Sequence, residues 1–179
     1  MIRTLQKQTL EGMTISISQR PFLPTNKLDE IFTRNAIDDA VKELACDPQD
    51  RIKLVDTIYN EGKRVFAMLV YDDCQNLITK FRKFGFLDSQ LPLSEVDITK
   101  IADTVPVRRL ARDTQWHFCP YIFPERMWQY HRELNKEIIL PIINAVQIGT
   151  GAYGDVEKIG LPSCQQNIIA TKVHAFELV

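Results

Sequence analysis

"QIGTGAYGDV", residues 147–156, holds three of the chain's seven glycines, Gly149, Gly151 and Gly154. The spacing fits G-x-G-x-x-G, a pattern that either brings backbone close to phosphates or simply makes a tight turn. The flanking residues decide what structure carries it. A dinucleotide fingerprint needs a helix opening at the third glycine, but Gly160 and Pro162 follow within eight residues and "DVEKIG" has strand character. Strands on both sides are the consistent reading. "IINAVQIG", "DVEKIG" and "NIIATKVHAFELV" are short, rich in Val and Ile, and separated by Gly or Pro. Residues 142–179 are therefore expected to form a three-stranded antiparallel meander.

Before residue 141 the periodicity is helical. In "NKLDEIFTRNAIDDAVKELA", residues 26–45, apolar side chains recur every three or four positions from Leu28 to Leu44. That spacing predicts one amphipathic helix capped by Thr25 or Asn26. "DRIKLVDTIYNEG" predicts a second helix ending near Gly62, "KRVFAMLVYDD" is a denser apolar stretch, and "CQNLITKFRKFGF" predicts a helix stopped by Gly85. A loop with one short helix is expected around the caps Ser94 and Asp97. A further helix is expected from about Glu125 to Leu140, ended by Pro141. The fold class is thus α+β: a mainly helical leader over residues 1–141, then a short sheet over 142–179.

Composition narrows the function classes. The 179 residues carry 22 basic and 23 acidic side chains, a formal net charge of -1. That balance speaks against a dedicated nucleic-acid binder, which concentrates basic charge. No apolar run approaches the roughly 18 residues of a membrane span, and the N-terminus lacks the apolar core of a secretory signal. Neither nucleic acid nor membrane is expected as a partner. Cys46, Cys74, Cys119 and Cys164 are widely spaced with no C-x-x-C pair, which fits reduced thiols in the cytoplasm or nucleus better than a zinc site or disulfide framework.

Glycine at 149, 151 and 154 would let amide N–H groups approach phosphate oxygens. Ile148, Val156 and Ala170 could line an apolar slot for a flat base. Strand alternation sets Ala170 and Lys172 on one face, so the ammonium could neutralise phosphate charge in the same cleft. With "GTGAYGDV" matching G-x-G-x-x-G-x-V, and "IATK" ending on Lys172, 23 residues after Gly149, like V-A-I-K, residues 142–179 resemble the opening of the protein-kinase domain. The upstream "RVFAMLVY", "LPLSEVDI" and "QWHFCPYIFPERMW" resemble the helical leader of uncharacterised fungal kinase-like proteins. The resemblance implies ATP as ligand. Ile148, Gly149, Gly151, Gly154, Val156, Ala170 and Lys172 are its cofactor-binding residues, and no catalytic or metal-binding residue is carried over.

Two positions depart from the kinase pattern: Asp155 sets a negative charge beside the loop, and Thr171 replaces an apolar residue before the lysine. The αC glutamate, H-R-D-x-x-x-x-N and D-F-G that phosphoryl transfer needs do not follow Lys172 in this sequence. The chain resembles a truncated Ser/Thr-type kinase. It is expected to bind ATP weakly or not at all and not to transfer phosphate by itself, with magnesium belonging only to a full-length parent. A non-catalytic helical module that binds protein partners, with the β segment as remnant, is the alternative, and a pseudokinase-like nucleotide sensor is a third reading. An incomplete sheet would also leave an apolar face bare, so it is expected either to dock on residues 26–140 or to be aggregation-prone.

Other chemistry-bearing residues have structural readings. His117 and Cys119, neighbours on an aromatic stretch, could suggest a Cys–His nucleophile, but Trp116, Phe118, Tyr121, Phe123 and Trp128 around them fit packing better. Arg108, Arg109 and Arg112 fit a solvated helix face with acidic neighbours. Lys80, Arg82 and Lys83 fit a helix end, Asp72 and Asp73 the end of a turn, and His131 and His174 have no partner at ligand spacing.

Overall fold

A computed structural model of the chain describes residues 1–44, 47–125, 133–151 and 154–167. Helices account for most of the described chain, with two small antiparallel sheets. Helix α1 (Ile2–Gly12) buries Ile2, Leu5 and Thr9 along one side. A minimal hairpin follows, β1 (Thr14–Ile15) against β2 (Pro21–Phe22), its turn carrying Gln19 at φ 61°.

The helix expected over residues 26–45 is two helices, α2 (Thr25–Ile31) and α3 (Arg34–Lys42). Thr33 breaks them: its Oγ1 accepts from the Ala36 N–H at 3.3 Å, so it acts as an N-cap rather than as an interior residue. The expected cap at Thr25 or Asn26 is also corrected. Thr25 is already helical, the preceding Pro24 is the N-cap residue, and no side chain caps this end. The bend lets Leu28 and Phe32 before it, and Ile37, Ala40 and Val41 after it, enter the same core.

Helix α4 (Pro48–Glu61) starts on Asp47, which accepts from Gln49 N–H at 2.8 Å, and stops at Gly62. Helix α5 (Lys63–Tyr71) is the centre of the molecule. Every residue from Val65 to Val70 is buried, so this helix is apolar all round instead of amphipathic. Phe66 meets Phe32 edge to face, with ring centroids 6.2 Å apart. Gly62 offers no side chain to cap α5. Asp88, from a 3₁₀ turn (Asp88–Gln90), supplies the cap in trans by accepting from Arg64 and Val65 N–H, each at 3.0 Å. Burial nevertheless pushes the Asp88 carboxyl above its ordinary value, against the lowering by those backbone donors.

Helix α6 (Ile78–Phe84) ends on Gly85 at φ 70°. Gly85 N–H donates to Arg82 O and Phe86 N–H to Phe81 O, the paired bonds of a Schellman motif. Helix α7 (Glu95–Thr99) is capped by Ser94, whose Oγ accepts from Asp97 N–H at 3.1 Å and donates to the Asp97 carboxylate at 2.7 Å. A continuous run then comprises α8 (Val105–Arg109), a π-helical turn (Leu110–Thr114) and α9 (Gln115–Phe118).

The helix expected from Glu125 to Leu140 is corrected where the structure describes it. Residues 133–140 form a turn and extended chain. The Asn135 carboxamide oxygen accepts from Glu137 N–H at 3.0 Å, a local bond that competes with helix, and Pro141 cannot continue one. Residues 126–132, Trp128 and His131 among them, lie outside the described residues.

After Pro141 the chain enters the expected β segment. Strand β3 (Asn144–Gly151) pairs antiparallel with β4 (Gly154–Gly160). Among the described residues this sheet has two strands rather than the expected three. The expected third strand, apart from Asn167, lies outside them, and Gln166 bridges in parallel to Phe123. The hairpin base is docked by Ile17 N–H, which donates to Ile142 O at 2.8 Å, and closed on itself by Ile143 N–H, which donates to Gly160 O at 2.9 Å. A 3₁₀ turn (Ser163–Gln165) is held to the start of α2 by Gln165 Nε2 on Thr25 Oγ1 at 2.9 Å. Phe22, Trp116 and Ile139 pack into a small second core near this junction. No described helix is long and apolar enough to cross a membrane.

Candidate functional site

The glycine segment occupies the distal half of the β3–β4 hairpin. Its register pairs Gln147 with Glu157, then Gly149 with Val156, Thr150 with Asp155 and Gly151 with Gly154. Ile148 and Gly149 thus stand together opposite Val156, a β-bulge with one extra residue on β3. The bulge shifts the alternation by one. It gathers Val146, Ile148, Val156 and Lys158 on one face and Gln147, Thr150, Asp155 and Glu157 on the other. Side-chain bonds agree with this division. Gln147 Nε2 donates to Thr150 Oγ1 at 3.1 Å, and that hydroxyl donates to Asp155 Oδ1 at 3.0 Å. Asp155, a departure from the kinase pattern, is therefore held on the face opposite Ile148 and Val156.

The apolar face is open. Val146 is 60% exposed and Ile148 55%, while Val156 is half-buried. Of the three loop glycines only Gly154, at φ 150°, adopts a backbone that favours glycine. A Cβ at Gly149 would meet nothing within 4 Å, and one at Gly151 would sit 3.6 Å from Gly154 O. Among the described residues nothing makes a steric demand on Gly149. At the base the reverse holds, since a Cβ on Gly160 would run into the Asn144 side chain at 2.1 Å.

Of the seven residues expected to hold ATP, the structure brings together Ile148, Gly149, Gly151, Gly154 and Val156. Ala170 and Lys172 lie outside the described residues, as do Thr171, His174 and Cys46.

The remaining candidates resolve into structural roles. Asp72, read as the end of a turn, is a buried carboxylate with its side chain 3% exposed. It accepts from Arg109 at 2.6 Å and from Thr114 Oγ1 at 2.5 Å, which ties the end of α5 to both sides of the π-helical turn. The position of Asp72 after a dense apolar run was its only sequence signal, because the partners lie 37 and 42 residues away. Gln115 was also missed. Its buried carboxamide oxygen accepts from Leu93 N–H at 2.7 Å, and its amide donates to Leu93 O at 3.0 Å and to Ala111 O.

Arg108 and Arg112 pair with Asp103 and Glu95, completing the expected match of these arginines with acids. Burial lowers the His117 imidazole below its ordinary value, helped by the positive charge of Arg20 and opposed by Asp72 and Asp113. Burial pushes the Cys119 thiol up to about 11, so it stays protonated and is a poor nucleophile. His117 instead packs edge to face on Tyr71, at 6.0 Å between centroids. Trp116, Phe118 and Phe123 are buried.

Comparison with known proteins adds no relative: no protein-family model, curated protein or solved structure matches this chain.

Proposed function

We propose that the β3–β4 hairpin is the phosphate-covering glycine loop of a kinase-type N-lobe. In this reading residues 142–179 form a three-stranded sheet that begins an ATP site, and the parent activity is protein phosphorylation in the cytoplasm or nucleus. The observation that carries the reading is the bulged register. It sets Ile148 and Val156 on one face for the adenine, surrounds the turn with glycine on both strands, and leaves Asp155 on the far side. Gly149 supports it further, because packing among the described residues gives no reason for glycine there while a closely approaching phosphate does.

Lys172 would supply the cation for the α- and β-phosphates, and Ala170 the opposite wall of the base slot. These residues supply one wall of a cleft, so by themselves they would hold ATP only weakly. The rival reading, a helical module for protein partners, relied on exposed aromatic and basic helix faces. Around α8 and α9 such faces are closed, since Trp116, Phe118 and Phe123 are buried and Arg108, Arg109 and Arg112 are each paired with a carboxylate; the exposed Lys80, Lys83 and Phe84 on α6 are the observation that still favours it.

Equilibrium titration of the full chain with ATP, beside the Lys172→Ala variant, tests the proposal. A millimolar-range signal that the substitution weakens about tenfold supports it, one charge-assisted contact being worth roughly 1.5–3 kcal/mol. Equal signals from both proteins, or none from either, overturn it.

A further inference from the structure

The end of helix α6 carries a second surface that the ATP reading does not use. Lys80, Lys83 and Phe84 stand at i, i+3 and i+4 and are all exposed, so they share the outer face of the helix. Phe84 is 48% exposed at the tip of the Schellman turn. Its ring stacks on Phe86, with centroids 6.0 Å apart and planes 15° from parallel. Lys100, from the end of α7, stands 5.8 Å over the Phe86 ring.

The charges here are unbalanced. From Cys74 to Leu87 there is no carboxylate, and Asp88 spends both oxygens on the α5 backbone. Among the described residues Arg82 and Lys83 have no side-chain partner. Lys80 reaches only the Ile101 carbonyl, at 3.5 Å, and Lys100 alone meets an acid, Asp97. Elsewhere Arg20, Arg34, Arg51, Arg108, Arg109 and Arg112 each lie against a carboxylate, while other cations unpaired among the described residues, such as Arg3, Lys53 and Arg64, lie far along the sequence from this aromatic pair. Cations do suit a helix C-terminus, but that does not explain why an aromatic ring is left in water among them.

We propose that Lys80, Lys83, Phe84 and Phe86 form a docking surface for an anionic lipid membrane. Phe84 enters the headgroup boundary while the cations meet lipid phosphates and carboxylates. This is peripheral attachment, which needs no membrane-spanning segment. A single-stranded nucleic acid fits less well, because the two rings stack on each other instead of offering free faces to bases, and the chain's net charge is -1.

Sedimentation of the full chain with vesicles tests the surface. Binding is expected to vesicles rich in phosphatidylserine, to weaken as salt rises, and to be absent with phosphatidylcholine alone. Lys80→Ala and Lys83→Ala should each weaken it about fivefold, and Phe84→Ser about tenfold. If Phe84→Ser fails to fold, the lysine variants carry the test, since both side chains are solvated. Equal binding to the two kinds of vesicle, lysine variants that bind like the wild type, or retention of a single-stranded oligonucleotide or an acidic peptide without vesicle binding would overturn the proposal.

Discussion

Asp72 shows how burial and charge are reconciled at single positions. Its carboxylate is almost wholly enclosed, whereas the Arg109 side chain that meets it is 55% exposed. The two halves of this pair are therefore unequal. Removing the arginine strands a buried charge with one hydroxyl for company, while removing the carboxylate leaves a cation that water can still solvate. Arg109→Met should cost about 3 kcal/mol in urea denaturation, and Asp72→Asn clearly less. Equal losses would contradict this account of the pair.

His117 gives a pH signature at the same scale. Its folded pKa lies below the unfolded value of about 6.5. Between the two, the unfolded chain binds a proton that the folded chain does not, so stability falls as pH drops through that window. Melting temperature should decline from pH 7 toward pH 5, less so in His117→Asn. Identical pH profiles would show that His117 is not the source. The Asp72–Arg109 pair was not legible in the sequence, because a partner 37 residues distant leaves no local pattern, whereas the packing around His117 was, from its aromatic neighbours. Gly85 and Ser94 were legible, because a left-handed stop and a hydroxyl cap act within four residues of themselves.

Among the elements, those with strong punctuation were read well and those defined by competition were not. Helices α4 and α6 stop at the expected glycines, and β3 and β4 run over the expected Val- and Ile-rich stretches. The break between α2 and α3 was hidden because apolar spacing continues across it, from Phe32 to Ala36 and Ile37. The N-terminal helix was hidden because its buried side is sparse, passing from Leu5 to a threonine whose hydroxyl returns to Leu5 O at 2.7 Å. The bulge in β3 could not be foreseen, since only pairing shows that Ile148 and Gly149 share one partner.

That bulge makes a contrast between two glycines measurable. Gly154→Ala should strain the turn by about 1–2 kcal/mol and speed amide exchange along β3 and β4. Gly149→Ala should leave exchange nearly unchanged, because its Cβ meets open space. Faster exchange in Gly149→Ala than in Gly154→Ala would mean that the register is wrong.

On the scale of the whole molecule, a helical body around α5 carries a hairpin that is tied at its base and bare along its blade. The expected choice between a docked and an uncovered sheet comes out divided. Ile142 on Ile17, and Gln165 on Thr25 and Phe123, anchor the base, while Val146 and Ile148 stay in water. An exposed apolar strand face is a liability unless something uses it, and a nucleotide's flat base is an occupant of matching chemistry.

Amide chemical shifts of the full chain on addition of ATP report on this occupant most directly. The account predicts shifts concentrated at Gly149, Gly151, Gly154 and Val156, and their loss in Lys172→Ala. Shifts scattered over the helical body, or a hairpin unmoved at millimolar ATP, would contradict it.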